Sequence, residues 1–461
     1  MKLLHTADWH VGKRLDRFSR IDEQRTVLEE IAGIADDEGV DLVIVAGDLY
    51  DTVNPGSEAE ELLYTALSDL SADGARPVIA IAGNHDSPDR VLAPDVLARR
   101  YGIVLVGYPA APVRDYRGER SRGRSSGGDR FAVATLAPGL LEIRLAAAGT
   151  IPIRIITTPY ANEYRLREAC ISEDRKDSAE AETILQEILG THWSDLAASH
   201  LQGEGINLLV THLFFADDPS SPPEEPEGER PIAHVGGAPP LSPSIVPEQV
   251  QYVACGHLHR PHTLGSGVPV RYAGSPLSYS FAEAGQQKSV TIVEVEPRGS
   301  LGSEAEIREV PLRSGYPLLR HTADDVPSAL RWLEAHPDSY VELSLRLTDY
   351  LSGMDRNALH HAHPRVVSIV PIVEGRDRAD GSSRVDPTED TVSLFRRYFR
   401  WSTGTEAGVE ILDLVGEILA AADSPDADRA GRNSTDADRA GRNSTDADRP
   451  GQDGTAAEED E

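Results

Sequence analysis

Five polar clusters in this chain each follow a short apolar run, and this repeated arrangement constrains the fold more than any other feature. The runs have the length of buried strands, and helical periodicity, clearest over Ile21–Glu38, separates the first ones. Strands that alternate with helices predict a layered α/β fold, with functional side chains just past the carboxyl ends of the strands. The clusters are Asp8-Trp9-His10, Gly47-Asp48, Gly83-Asn84-His85-Asp86, Thr211-His212 and Gly256-His257-Leu258-His259.

The residue types in these clusters predict a metal site. Asp8 and His10 are two residues apart, so in an extended chain they point to the same side. Carboxylate, imidazole and amide ligands without thiolate suit Mn²⁺, Fe²⁺ or Zn²⁺, and the hard oxygens favour Mn²⁺. Each motif by itself is more often a helix cap, a turn or a surface histidine. In this order, each after a strand, they predict one shared site at one edge of a sheet.

The two cysteines, Cys170 and Cys255, are too few for a disulfide framework and are typical of the reducing cytoplasm. Cys255 stands beside a histidine cluster, but no second cysteine lies at ligand spacing, which favours a buried strand residue over a zinc ligand. The segment Lys2–Thr6 runs directly into the first cluster and leaves no room for a signal peptide. No stretch approaches the ~20 apolar residues of a membrane span. We therefore expect a cytoplasmic protein without a membrane segment.

The formal net charge of −31 argues at face value against a nucleic-acid partner. The tail from Asp423 to Glu461 holds 12 acidic residues and 5 arginines, and the remaining acidic excess is spread over the body. A diffuse acidic surface with scarce lysine is typical of a protein adapted to high internal salt, where screening acts within a few Å. Net charge therefore does not decide the substrate class.

Composition and periodicity predict four parts. The first is a domain over 1–300 with loop insertions at 114–130 and 217–231, and the second is a small α/β unit over 305–375. An amphipathic helical stretch follows at 389–422, either packed on its own domain or forming a partner surface. The tail at 423–461 contains a ten-residue repeat and is predicted to be disordered. For the arginine-rich insertion at 114–130, a solvated loop is favoured over a DNA-contacting one.

The motifs resemble those of the calcineurin-like metallophosphoesterase superfamily in type and order. Within it they resemble the SbcD-type double-strand-break nucleases, whose partner is the ATPase SbcC. The resemblance is strong over 1–112 and 206–295, looser over 305–422, and absent from the two insertions and the tail. It implies a β-sandwich flanked by helices, a small α/β cap and a C-terminal helical segment. The segments that carry it are His5–Lys13, Gly47–Asp51, Gly83–Ser87 with Arg90, Gly256–Pro261, and Tyr272–Phe281 with Glu283 and Lys288.

The resemblance also implies the roles of individual residues around two divalent metal ions. His85 matches a catalytic histidine that binds no metal, and Asp86 is expected to orient its ring. The residues expected to hold one ion are Asp8, His10, Asp48 and His259. Those expected to hold the other, with Asp48 bridging, are Asp48, Asn84, His212 and His257. Candidate DNA contacts, for which surface solvation is an equal alternative, are Lys13, Arg14, Arg17 and Arg90.

The implied function is a metal-dependent DNA nuclease that processes DNA ends in repair and recombination. It would act as a double-strand 3′–5′ exonuclease and single-strand endonuclease, as a homodimer within a heterotetramer with the ATPase. The cap at 305–375 would orient DNA, and 389–422 would dock on the coiled-coil base of the ATPase. Two alternatives stand beside this hypothesis: a small-molecule phosphodiesterase or phosphatase with the same site, and a non-catalytic DNA-end scaffold.

Overall fold

The computed structural model describes residues 1–110, 116–117, 130–146, 151–161, 181–217, 240–265, 267–298, 305–347 and 351–373, with isolated positions between 393 and 415. The chain divides into two compact units, Met1–Glu374 and Gly375–Glu461. The architecture below is that of the first unit. Among the described residues no helix has the length and apolar character needed to cross a membrane.

Strands and helices alternate over the first hundred residues, as the sequence predicts. In chain order the strands are β1 (Lys2–Thr6), β2 (Arg14–Leu15), β3 (Phe18–Ser19), β4 (Leu42–Ala46), β5 (Val78–Ile81), β6 (Ile103–Val106), β7 (Tyr116–Arg117), β8 (Phe131–Ala137), β9 (Leu140–Leu145), β10 (Pro152–Thr158), β11 (Ile206–Thr211), β12 (Tyr252–Cys255), β13 (His262–Leu264), β14 (Val270–Tyr272), β15 (Ser289–Glu294), β16 (Glu306–Pro311), β17 (Leu318–Ala323), β18 (Tyr340–Leu347) and β19 (Val366–Val373). The α-helices are α1 (Ile21–Asp37), α2 (Ser57–Leu70), α3 (Pro88–Leu92), α4 (Asp95–Ala98), α5 (Ala181–His200), α6 (Val326–Glu334) and α7 (Gly353–Ala362).

Two sheets pack face to face to form the main body. The first has the strand order β16-β15-β1-β4-β5-β6, and the second has the order β13-β14-β12-β11-β10-β9-β8-β7. Strands β1, β4, β5 and β6 run parallel in the first sheet, and β10, β11, β12 and β14 run parallel in the second. Parallel strands place their carboxyl ends at the same edge, so each sheet presents one edge that is rich in loop residues.

Alternation along β4 shows how the sequence builds the layers. Leu42, Ile44 and Ala46 join the core between the two sheets. The intervening Val43 and Val45 join the core beneath α1 and α2 on the other face. Burial on both faces explains why this strand reads as a continuous apolar run. Helix α5 covers the outer face of the second sheet in the same way. The predicted β-sandwich flanked by helices is confirmed.

The small α/β unit begins later than the sequence indicates. The strand expected to open it, β16, instead pairs antiparallel with β15 and extends the first sheet to Pro311. The unit itself, here called the cap, is a parallel sheet in the order β17-β18-β19 with α6 and α7 over residues 318–373. β16 pairs with the strand just before it in the sequence, and local periodicity does not show whether a strand pairs with the preceding or the following part of the chain.

The cap sits on the main body through a partly apolar junction. Leu15 and Phe281 of the body pack with Leu318 and Tyr340 of the cap. Beside them lies the fully buried Arg20, whose Nε donates to Glu23 Oε2 at 2.6 Å. Arg20 also lies 5.2 Å from the Tyr340 ring centre. The buried Arg20–Glu23 ion pair, at the start of α1, therefore links α1 to Tyr340 of the cap.

Several predicted features fall outside the described residues. Of the 114–130 insertion, only 116–117 and 130 are described, and 116–117 form β7 against β8. The 217–231 insertion is described at Asp217 alone, and the 389–422 helical stretch at scattered positions. The tail at 423–461 lies wholly outside them.

His5 is a buried titratable group in the sandwich core. Its Nδ1 lies 2.8 Å from the Tyr252 hydroxyl, and burial, with the nearby Arg271 charge, lowers its pKa to about 3. The folded chain therefore keeps this ring neutral while an unfolded chain protonates it near pH 6.5. Because the folded-state pKa is depressed, the stabilisation is present above pH 6.5 and is lost as the pH falls from there towards 3.

We predict that His5→Asn has a shallower dependence of unfolding free energy on pH than the wild type. Between pH 6 and 4.5 the slope should decrease by up to about 1.4 kcal/mol per pH unit, because one fewer proton is taken up on unfolding. Urea titrations at fixed pH values measure the slope. Tyr252→Phe, which keeps His5, should retain the wild-type slope, and equal slopes for all three proteins would contradict the prediction.

Candidate metal centre

The five polar clusters meet where the two sheets face each other. Three follow strands β1, β4 and β5 of the first sheet, and two follow β11 and β12 of the second. The sequence predicts one sheet edge, whereas the structure uses the carboxyl edges of two sheets. Periodicity identifies a buried strand without indicating which sheet it joins.

A first group of ligand atoms lies beside the end of β1. The Nε2 atoms of His10 and His259 are 3.1 Å apart. A carboxylate oxygen of Asp8 joins them, with all three ligand atoms within 4.8 Å of one another. Two imidazole nitrogens this close converge on one point, which is the arrangement of ligands around a shared cation.

A second group lies at the ends of β5, β11 and β12. The side-chain oxygen of Asn84 is 3.1 Å from His212 Nε2 and 3.0 Å from His257 Nδ1. An amide oxygen and two imidazoles again form a nitrogen and oxygen donor set. The resemblance implies that these residues hold a second ion, and the structure brings them together.

Asp48 lies between the two groups. Its Oδ2 is 3.4 Å from His10 Nε2 and 3.4 Å from His212 Nε2. Its Oδ1 accepts a hydrogen bond of 2.9 Å from the backbone N–H of His85. One carboxylate oxygen is thus equidistant from a nitrogen of each group, as a bridging ligand requires.

The backbone at these positions is strained. Asp8, His10, Asp48 and His257 have φ values of 52°, 43°, 48° and 99°. Left-handed backbone at residues other than glycine costs on the order of 1–3 kcal/mol each and clusters at functional sites. The tight turns bring side chains from separate strands within ligand distance.

Glycine is required before Asp48 and Asn84, because a neighbouring site residue lies too close to leave room for a Cβ atom. A Cβ at Gly83 would lie 2.1 Å from Asp48 Oδ1, and one at Gly47 would lie 2.2 Å from His212 Nδ1. Gly47 also has a φ of 93°. Glycine therefore recurs in the motifs because a neighbouring ligand occupies the space of its side chain.

The donor set fits divalent cations. Oδ2 of Asp8 is buried and has no hydrogen-bond partner among the described residues, which is costly for a carboxylate unless a cation is present. Burial lowers the pKa of His10 to about 4 and that of His257 to about 3. Both rings are therefore neutral near pH 7 and offer a lone pair to a metal.

Partners behind the ligand rings fix their orientation. Nδ1 of His212 lies 2.8 Å from the carbonyl oxygen of Ala46, and donation to that oxygen leaves Nε2 free to bind a metal. Nδ1 of His259 lies 3.3 Å from Glu283 Oε1. The sequence places Glu283 in a family-like stretch without a role, because nothing local shows that residues 24 apart meet.

His85 lies beside His10 of the first group, and ligand atoms of His85, His10 and Asp51 lie within 4.8 Å of one another. Its ring contacts that of His10 edge to face, with centroids 4.7 Å apart. Its Nδ1 lies 2.8 Å from the backbone carbonyl of Asp51, to which it donates. Any residue at position 51 would have a backbone carbonyl, so the residue type does not predict this contact of Asp51 with His85.

Asp86 joins two of the loops that carry site residues. Its buried carboxylate accepts hydrogen bonds from the backbone N–H groups of Gly83, Leu49 and Tyr50, at 2.8, 3.0 and 2.9 Å. These bonds join the loop after β4 to the loop after β5. The Asp51 carbonyl thus contacts the His85 ring, and the orienting role expected of Asp86 stays a prediction.

The four basic residues predicted to contact DNA occupy different places. Lys13 Nζ is 2.6 Å from Asp51 Oδ1, beside the metal centre. Arg17 donates to the Val366 carbonyl of the cap at 3.1 Å. Arg90 pairs with Glu60 at 2.7 Å, and Arg14 is exposed and donates to the Arg17 carbonyl. Only Lys13 of these four lies next to the ligand groups.

A family model described as calcineurin-like phosphoesterase matches residues 1–261. The chain belongs to this family.

Two curated relatives are named as the SbcD component of the nuclease SbcCD. The protein from Bacillus subtilis is 34% identical over 93% of this chain and all of its own length. The protein from Rhodobacter capsulatus is 31% identical over 69% of this chain and 71% of its own length. These similarities place the chain in the SbcD family. Among solved structures, a dimetal phosphatase from Danio rerio matches with a TM-score of 0.35 and 14% identity, over 67% of this chain and 98% of that one.

Proposed function

We propose that this chain is the nuclease component of an SbcCD-type complex, a metal-dependent hydrolase of DNA phosphodiester bonds that works with an SbcC-type ATPase. The observation that carries the proposal is the position of Asp48 Oδ2, 3.4 Å from a histidine nitrogen of each ligand group. Membership of the SbcD family supplies the substrate and partner classes. We further propose double-strand 3′–5′ exonuclease and single-strand endonuclease activity.

We assign two ions to the site, and Mn²⁺ as the preferred metal. The residues proposed for the first are Asp8, His10, Asp48 and His259, and those for the second are Asp48, Asn84, His212 and His257. When bound, two divalent ions activate a water molecule and offset the negative charge of the phosphate. Oxygen donors from Asp8, Asp48 and Asn84 favour Mn²⁺ over softer ions.

The chain's own contribution to the reaction is position and proton transfer. With its Nδ1–H donated to the Asp51 carbonyl, His85 keeps Nε2 to exchange a proton with the leaving sugar oxygen. General acid catalysis of this kind typically contributes about 10²–10⁴-fold. Asp86 supports it by joining the two loops that carry Asp48 and His85.

DNA binding is proposed at the rim of this centre. Lys13, which pairs with Asp51, is the basic side chain closest to the ligands. Arg17 lies at the junction with the cap, Arg14 lies in β2, and Arg90 lies on α3. Phosphate contacts of this kind set affinity and its salt dependence without reading sequence. We propose that the cap orients the duplex, and that residues 389–422 dock on the ATPase in the cytoplasm.

Self-association is proposed for the surface formed by residues 53–64 and 96–101. Val96 and Leu97 have exposed fractions of 60% and 64%, and Val53, Tyr64 and Tyr101 are also exposed. Arg90 lies on α3, which precedes residues 96–101 in the chain. Its bonds to Glu60 and Asn54 join α3 to residues 53–64. An exposed apolar surface of this kind fits a second copy of the chain and the predicted homodimer.

An end-labelled duplex incubated with the purified chain tests the proposed activity. With Mn²⁺ we expect stepwise release of nucleotides from 3′ ends, weaker release with Mg²⁺ and none with chelator, and stimulation by the ATPase partner with ATP. Hydrolysis of a small phosphodiester with no action on duplex would favour the small-molecule enzyme. Duplex binding with no cleavage in any metal would favour the scaffold.

His85→Ala should bind Mn²⁺ and DNA like the wild type but cleave about 10²–10⁴-fold more slowly, because the proton donor is lost while the ligands remain. Calorimetry of Mn²⁺ binding and single-turnover cleavage measure the two properties separately. Near-wild-type cleavage in this variant would remove His85 from the catalytic role.

Leu97→Glu should convert the protein to a monomer, because a charge would be buried without a partner in the proposed interface. Sedimentation equilibrium measures the mass. Met354→Glu is the matched control, since Met354 is also exposed but lies on α7 of the cap. A dimeric Leu97→Glu protein, or a monomeric wild type, would contradict this surface assignment.

A further inference from the structure

His259 is the least enclosed histidine of the first ligand group. Its side chain is 28% exposed, compared with 2% for His10. It lies on the loop that follows β12 rather than in a strand. An imidazole in that position is free to rotate unless something behind it holds the ring, and rotation would move Nε2 away from His10 Nε2.

Glu283 occupies the position behind this ring. Its Oε1 is 3.3 Å from His259 Nδ1, on the side opposite the nitrogen that faces His10. Donation of Nδ1–H to this carboxylate leaves the Nε2 lone pair for a metal ion. The same oxygen accepts the backbone N–H of Tyr279 at 3.1 Å, so the carboxylate cannot turn without breaking a second bond.

Lys288 holds the other oxygen of the same carboxylate. Its Nζ donates to Glu283 Oε2 at 2.6 Å and to the hydroxyl of Ser275 at 3.0 Å. It also donates to the backbone carbonyl of His259 at 3.1 Å. Glu283 thus holds the ring of His259, and Lys288 holds both Glu283 and the backbone that carries the ring.

We propose that Glu283 is a positioning residue for His259, with Lys288 fixing its carboxylate, and that the pair sets the affinity of the first metal position. The inference rests on the proposed function, because it takes His259 as a metal ligand. His212, in the second group, depends on the Ala46 carbonyl instead. Loss of the Glu283 carboxylate should therefore weaken one metal position and spare the other.

A purely structural ion pair is the competing explanation, and the chain offers variants that separate the two. Glu283→Gln keeps the size of the side chain but removes its charge and leaves Lys288 buried without a counter-ion, which destabilises the fold. The double variant E283Q/K288Q removes both charges and allows an amide pair. If the role is structural, the double variant should recover wild-type metal binding along with its stability. If Glu283 positions His259, stability should return and metal affinity should not, because a neutral amide oxygen accepts from Nδ1–H more weakly than a carboxylate does.

The matched control is Glu309→Gln. Glu309 of β16 pairs with the buried Arg271 of β14 at 2.6 Å, so its loss also breaks a partly buried ion pair. The hydrogen bonds of the Arg271 side chain go to Thr291, Thr263 and Glu309, which are not proposed metal ligands. Mn²⁺ binding should therefore be unchanged in this variant.

The experiment is calorimetric titration of the full-length metal-free chain with Mn²⁺, with thermal unfolding recorded for each variant. E283Q and E283Q/K288Q should bind one of two ions about 10- to 100-fold more weakly, as loss of such an outer partner typically does. Cleavage at limiting Mn²⁺ should decrease accordingly and return when Mn²⁺ is raised. Wild-type affinity in both variants would overturn the proposal.

The His259→Ala variant separates failure of the positioning role of Glu283 from failure of the ligand assignment of His259. If it abolishes one binding event while E283Q does not alter it, the positioning role fails and the ligand assignment stands. If His259→Ala itself binds two ions with wild-type affinity, the ligand assignment in the proposed function fails.

Discussion

The carboxylates of Asp8 and Asp48 are buried side by side at the junction of the two sheets. The rest of the site depends on how their charge is compensated. Burial raises the pKa of Asp8, whereas at Asp48 the charge of His212 outweighs burial and holds the pKa well below its usual range. Concentrated negative charge in a dry location requires positive charge close by. The converging imidazoles and the unpartnered Asp8 Oδ2 show where a cation would provide it.

Much of the fold and most of the site follow from sequence because both depend on local patterns. Apolar runs such as Leu42–Ala46 identify strands, and an Asp or His just after a strand identifies an edge. What local pattern cannot show is which strands pair with one another. Local pattern therefore predicts one sheet edge, although two sheets contribute to the site. It also places β16 in the cap, although β16 pairs with β15. It also missed the Asp51 carbonyl, since a backbone role is independent of residue type.

The cap and the metal centre share one short stretch of chain. Phe281 packs against Leu318 and Tyr340 of the cap, and Glu283, two residues on, contacts His259. Tyr279 donates its hydroxyl to the Trp9 carbonyl, within the loop that carries Asp8 and His10. In this member of the SbcD family, the cap is thus built onto the same short segment that contacts the metal centre.

The left-handed backbone at Asp8 and Asp48 has a consequence for which residues these positions tolerate. Asparagine adopts that conformation nearly as readily as aspartate, whereas branched residues such as valine do not. A change to asparagine thus alters charge and leaves the turn intact, while a change to valine alters both. A chain that loses catalysis by the first route should therefore still fold, because the turns at these two positions are unchanged.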